Sequence, residues 1–341
     1  MNFSLIKKIY SSASFKKLMN VSRIIVAVIL LIIIFQKINL KQFAEILIKI
    51  NPTSFFVLFA LSLIQSMINT FGLKYILSKF KIYIPFSRLI YLRFVSKFFS
   101  IAIPAGMIGG DITQLYFISK YTEKKAKPTF AIIIQRITNF YAFILFFFLP
   151  VLIFTNIIEN NIIKILIILF FIILFFTLAF IYFNNRTRDF IIKRLNNIPL
   201  LKRNKNLIQI ANSFFLGRDS RNVFIVLIIT SILFYIVGLL LRYYILLILN
   251  IEIDVFHFIS IVIFVTFLLK VPISFAGIGI REVGYIALFG MLGVQSEYAL
   301  SFSIIEFISP FILYLAFGFH YFLFSICKIR NVIRNITTGK T

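Results

Sequence analysis

The stretch that most constrains the fold is 264–292, FVTFLLKVPISFAGIGIREVGYIALFGML. Most of it is apolar enough for the interior of a bilayer. Its middle is not: Pro272, Gly277 and Gly279 interrupt helix, and Arg281 and Glu282 put two charges where lipid would be. A charged side chain at the bilayer centre costs about 2.5–3.5 kcal/mol on insertion scales, so it requires a partner or water. Non-helical backbone is tolerated at that depth only inside protein or along a wet cavity. Residues 101–116, IAIPAGMIGGDITQLY, repeat the arrangement with Pro104, Gly106, Gly109, Gly110 and Asp111.

The surrounding chain has the composition of a polytopic membrane protein, with 61% hydrophobic and 14% charged residues among 341. Its net charge of +25 comes from basic residues in loops between apolar runs. That pattern sets membrane orientation and contacts anionic lipid, so nucleic acid is not an expected partner. Cys327 is the single cysteine, and His257 and His320 have no ligand spacing, so neither a disulfide nor a metal site is expected. No P-loop is present, and no cofactor is expected.

Apolar runs and basic loops predict an all-α membrane protein with six full transmembrane helices, near 22–38, 53–77, 129–153, 162–183, 223–249 and 299–326. The first is read as a retained span, since no small-residue cleavage site follows it. Two further apolar segments, 89–119 and 258–292, bring the hydropathy count to eight. Both flanks of the first are basic (Lys79, Lys81, Arg88; Lys120, Lys124, Lys127). Both flanks of the second are acidic (Glu252, Asp254; Glu297). One crossing cannot return a chain to its own side. Each segment therefore reads as a re-entrant helical hairpin, the first entered from the cytoplasm and the second from outside. Eight full spans would place Lys120–Lys127 outside, against the charge rule. Loop 39–52, with Lys41 and Lys49, is the one violation accepted. The expected organisation is a single integral membrane domain, 1–341. Its basic cytoplasmic parts are the N-terminus 1–21, the interfacial segment 184–222 and the tail 327–341, so both termini face the cytoplasm.

The two interruptions resemble each other. Ala105-Gly106-Met107-Ile108-Gly109-Gly110-Asp111 and Ala276-Gly277-Ile278-Gly279-Ile280-Arg281-Glu282 both read A-G-x-x-x-x-acid. A lysine and a proline precede each one: Lys97 and Pro104, then Lys270 and Pro272. Each hairpin has one span before it and one after, so the units form an inverted repeat, a plan in which broken helices meet near the midplane at the substrate site. Glycine lets the backbone turn and approach closely. The half-helix after each break starts with unpaired N–H groups, which suit a phosphate, and Arg281 adds a bidentate donor. Asp111 and Glu282 fall in the first turns of those half-helices and also suit an amine. Arg136 and Glu306 follow the two acids at nearly equal spacing. They are expected to pair with hairpin charges, Arg136 with Asp111 or Glu282 and Glu306 with Arg281. The candidate substrate contacts are Gly106, Gly109, Gly110, Asp111, Arg136, Gly277, Gly279, Arg281, Glu282 and Glu306. The bland alternatives are an Arg281–Glu282 pair that only neutralises itself, glycines that only pack helices, and an Arg136 that snorkels to the surface.

The pattern V-P-x-x-x-x-G-x-G-x-R-E-x-G (Val271, Pro272, Gly277, Gly279, Arg281, Glu282, Gly284), followed by Leu292-Gly293-Val294, resembles the C-terminal signature of the lysylphosphatidylglycerol synthase transmembrane (flippase-like) family. Ile103–Asp111 is similar to that family's first motif, with Gln114 near where an arginine is common. The resemblance implies a bacterial or archaeal cell-membrane protein that moves lipids between leaflets. The cargo is aminoacylated phosphatidylglycerol in bifunctional members and other phospholipids or polyprenyl-linked lipids in stand-alone ones. The soluble aminoacyl-transfer domain is not expected in a chain ending at Thr341, so a transporter rather than an enzyme is implied. Expected partners are an anionic or aminoacylated lipid, a lipid-biosynthetic enzyme and a second copy of the chain. Two alternatives compete: a non-catalytic subunit that anchors a biosynthetic enzyme, and a polytopic lipid-linked transferase. The transferase reading lacks clustered loop acids, Glu252 and Asp254 being the sole close pair.

Overall fold

A computed structural model describes residues 25–34, 36, 38–102, 107–124, 126–154, 165, 169, 220–270 and 274–337. The described chain is helical. In order the helices are α1 (Ile25–Ile34), α2 (Leu40–Ile48), α3 (Pro52–Lys79), α4 (Phe86–Ala102), α5 (Met107–Ser119), α6 (Ala126–Phe154), α7 (Ser220–Ile248), α8 (Val255–Leu268), α9 (Ile280–Gly290) and α10 (Ser296–Thr337). Nearly all of the expected fourth span 162–183 and of the basic segment 184–222, all of segment 1–21, and Pro104, Gly106 and Pro272 lie outside the described residues.

Among the described residues, four helices are long and apolar enough to cross a membrane: Pro52–Lys79, Ala126–Phe146, Asn222–Ile248 and Ser296–Leu323. Helix is the form that satisfies every backbone group within its own segment, which lipid demands. Local chemistry fixes the ends. Asn51 caps α3 by accepting the Thr53 N–H at 3.0 Å, with Pro52 in the first turn, where its missing N–H costs nothing. Asp254 caps α8 through the N–H groups of Phe256 and His257. α3 and α7 stop in the same way, each in a left-handed residue (Lys81, φ 60°; Asn250, φ 50°). In each, a backbone bond reaches back across the last turn, Ile82 N–H to Leu77 O and Ile251 N–H to Leu246 O, both 3.0–3.1 Å. The 42-residue α10 runs through part of the expected tail, with Pro310 inside it.

α3 and α7 form the most extensive pair and run antiparallel. Near the end of α3, Gly72 faces Leu227 and Thr230. Two turns earlier, Gln65 donates to the Phe234 carbonyl at 3.1 Å. One apolar cluster joins Ile50, Ile251, Ile253, Phe289, Val294 and Tyr298, taking in both flanks of the α8–α9 unit. Another joins Phe80, Ile82, Ile84, Ile118, Phe130 and Val223, taking in both flanks of the α4–α5 unit. Polar ties follow the same grouping. The Asn39 N–H donates to Glu297 and Gln42 donates to Gln295, both at 3.0 Å, while Lys127 Nζ donates to the Phe80 carbonyl at 3.0 Å.

Candidate functional site

The second break is built on backbone that few side chains permit. Ala276, Gly277 and Gly279 all have positive φ (52°, 79° and 87°). A Cβ at Gly279 would lie 2.7 Å from the Leu30 Cβ, so this glycine also lets α1 approach the break. α9 then starts with its charges folded inward. Glu282 Oε2 accepts the Gly279 N–H at 2.5 Å, satisfying an otherwise orphaned helix donor. Glu282 Oε1 accepts from Arg281 Nη2 at 2.8 Å, from Arg281 Nε at 3.2 Å and from the Ser303 hydroxyl at 3.1 Å. The guanidinium stacks over the Phe307 ring at 4.5 Å. Arg281 and Glu282 are 7% and 4% exposed, so this is a buried, internally closed cluster against α10.

Glu306 does not pair with Arg281 as the sequence suggested. Its Oε1 accepts from Arg242 of α7 through Nε (2.8 Å) and Nη2 (2.6 Å). Ser303 and Phe307 already occupy the face of α10 that meets Arg281, and Glu306 is turned toward α7 instead. Its Oε2 has no hydrogen-bond partner among the described residues. Pro310 has no N–H, so the Glu306 carbonyl also loses its usual helical donor four residues on.

At the first break, Arg136 of α6 pairs with Asp111 of α5, as one of the two expected pairings had it. Their side chains keep 47% and 33% exposure, far more than the second cluster. Asp111 is the fifth residue of α5, beyond the first turn where the sequence placed it. Gly109 and Gly110 are buried, and a Cβ at Gly110 would lie 2.9 Å from the Ser96 carbonyl oxygen, so this glycine lets α4 and α5 touch.

Three more cations converge on this region. Lys97 of α4 lies within electrostatic reach of Arg93, Asp111, Arg136 and Lys270. Lys270, just past the end of α8, lies within reach of Arg136 and Arg242, and its Nζ sits 5.1 Å from the centre of the Phe143 ring. Both lysines are solvent-accessible. Arg93 is buried, and its Nη1 has no hydrogen-bond partner among the described residues. The same holds for Gln114 Nε2 on α5 and for the hydroxyl of Ser274, which follows Lys270 in the second break. The sequence reading missed Arg93 and Arg242 as site residues. Each is an arginine inside an apolar helix, the same signal that singled out Arg136.

A separate groove of about 450 Å³ between α3 and α7, lined by Met67, Phe71, Phe86, Ile229 and Leu233 among others, is wholly apolar and away from these charges. No group of three or more His, Cys, Asp or Glu that could hold a metal ion occurs among the described residues.

Together these features define a polytopic helical membrane protein with two interrupted helices and a polar, charged interior. The chain belongs to the family described as the lysylphosphatidylglycerol synthase TM region, whose model matches residues 20–318. What is matched is the membrane-embedded, flippase-like part of those synthases. No curated protein and no solved structure matches the chain.

Proposed function

We propose that the protein is a lipid translocase that moves a phospholipid or lipid-linked head group between leaflets through two re-entrant hairpins of opposite entry. In this reading α3–α6 and α7–α10 are inverted repeats, six full spans surround the hairpins, and both termini are cytoplasmic. The packing supports it. Exchanging α3 with α7, α4 with α8, α5 with α9 and α6 with α10 turns α8 on α6 into α4 on α10, α9 on α10 into α5 on α6, and α7 on α6 into α3 on α10, all of which are packed pairs. The antiparallel α3–α7 pair sits where the axis relating the two units would pass. The four break helices have 11 to 17 residues, or about 17–26 Å at 1.5 Å per residue, short of a ~30 Å hydrocarbon core.

One observation carries the proposal: accessible lysines from both breaks lie within electrostatic reach of one another and of Arg136, with Asp111 beside them, in a membrane protein. Such charges are retained where a polar head group must cross. The test is reconstitution into liposomes containing acyl-labelled fluorescent phospholipids, with an impermeant quencher added outside. The expected result is quenching beyond the outer-leaflet half, slowed in Lys97→Gln and Asp111→Asn. Protein-containing liposomes that quench like empty ones across the lipid panel would support the anchoring-subunit reading instead.

A further inference from the structure

We infer that the cluster of cations between the breaks selects a head group carrying an exposed phosphate monoester or diphosphate, and rejects the cationic head group of an aminoacylated lipid. The inference deepens the translocase reading and rests on it for the word cargo, but its binding test stands alone.

Charge bookkeeping around the breaks leads there. Six cations face the region: Arg93, Lys97, Arg136, Arg242, Lys270 and Arg281. Three acids answer them, each already engaged: Asp111 with Arg136, Glu306 with Arg242, and Glu282 with Arg281. Arg93, Lys97 and Lys270 are left without an ion-paired acid among the described residues. Among the described residues the acid within reach of Arg93 and Lys97 is Asp111, already paired with Arg136, and the charges within reach of Lys270 are those of Arg136, Arg242 and Lys97. Like charges gathered this closely repel one another unless an anion joins them. Arg93 Nη1, within this cluster, is a donor with no hydrogen-bond partner among the described residues.

The arrangement also fixes which break does the binding. At the second break the helix donor of Gly279 and the Arg281 guanidinium are consumed by Glu282 and Ser303. The phosphate contacts therefore come from Arg93 and Lys97 on α4 and from Lys270 after α8. A phosphate monoester brings about −1.5 to −2 charge at neutral pH and three acceptor oxygens, matching those donors. A phosphodiester brings a single charge. A lysyl-phosphatidylglycerol head group adds two ammonium groups to one phosphate and meets repulsion.

The test is thermal unfolding of the purified full chain in detergent, titrated with phosphatidic acid, a polyprenyl monophosphate, phosphatidylglycerol, lysyl-phosphatidylglycerol, inorganic phosphate or pyrophosphate. Saturable stabilisation by the first two lipids, at least tenfold tighter than by phosphatidylglycerol and absent with lysyl-phosphatidylglycerol, is the expected result. Lys97→Gln and Lys270→Gln each weaken it about tenfold, Lys97→Arg restores it, and the outward-facing Lys120→Gln leaves it unchanged. Pyrophosphate that competes with lipid identifies the phosphate as the recognised group. Inorganic phosphate binding as tightly as the lipids would identify a free anion as the ligand and overturn the lipid assignment. Lysyl-phosphatidylglycerol binding as tightly as phosphatidic acid, or Lys97→Gln and Lys270→Gln binding as wild type, would overturn the inference. A wild-type protein that binds phosphatidic acid this way yet flips no lipid in liposomes would sink the translocase reading and leave the binding site standing.

Discussion

The two breaks share a sequence pattern and differ in how they handle charge. At the second, Arg281, Glu282, Ser303 and Phe307 form a buried cluster that also caps α9. At the first, the ion pair Arg136–Asp111 is half-exposed, with Lys97 and Arg93 beside it. Matching Asp111 to Glu282 matches Gln135 to Glu306 in the same register and brings Asn69 to within a residue or two of Arg242. Gln135 Nε2 donates to the Asn69 side-chain oxygen at 2.8 Å, where the other half has the Arg242–Glu306 ion pair. The same junction between helices is neutral in one half and ionic in the other. The second break closes Arg281 and Glu282 on each other, whereas Arg93 and Lys97 beside the first have no paired acid of their own among the described residues.

Breaking the closed side carries the largest expected effect. Glu282→Ala leaves Arg281 buried without its acid and uncaps Gly279, and removing one partner of a buried pair costs about 3–5 kcal/mol. Purified protein should melt far lower, or fail to accumulate in the membrane, whereas Asp111→Ala should fold. Equal melting of the two variants would erase the distinction between the breaks.

The junctions give the next effect. Replacing Arg242 and Glu306 together by Gln copies the neutral Asn69–Gln135 pair into the other half. Each single change should destabilise more than the double, with a coupling energy of about 0.5–3 kcal/mol in a double-mutant melting cycle. Additive losses would mean that the ion pair is not equivalent to its neutral counterpart. The smallest stability effect belongs to the exposed pair. Swapping Asp111 and Arg136 should change stability by about 0–1 kcal/mol, while lipid movement falls because the arginine now stands on α5. A swap that melts as low as Glu282→Ala would place the first break among the structural clusters.

Much of this was visible in the chain because glycine, proline and charge are rare inside apolar runs. The break at Gly277–Gly279 and four of the expected spans follow from spacing, whereas Gly109 and Gly110, expected within the first break, fall inside α5, and spacing left Arg136 open between Asp111 and Glu282. The partner of Glu306 did not follow from spacing. Which face of α10 turns toward α9 and which toward α7 depends on how the helices rotate against each other, and a residue list does not encode that rotation. The inward fold of Arg281 onto its neighbour depends likewise on Ser303 and Phe307 arriving from α10. Arg93 drew no notice in the sequence, where α4 also carries Arg88 and Lys97.

Opposite entry of the two hairpins is the claim on which the rest depends, and side-specific labelling of single cysteines tests it directly. In a Cys327→Ser background, cysteines replace Tyr83 and Tyr121, which flank the first hairpin, or Glu252 and Met291, which flank the second; all four positions are exposed. The account predicts that an impermeant maleimide reaches positions 252 and 291 in intact cells, and positions 83 and 121 only in inside-out vesicles. Labelling of 83 and 121 from opposite sides, or of 252 and 291 from opposite sides, would make that segment a full crossing and contradict the inverted arrangement.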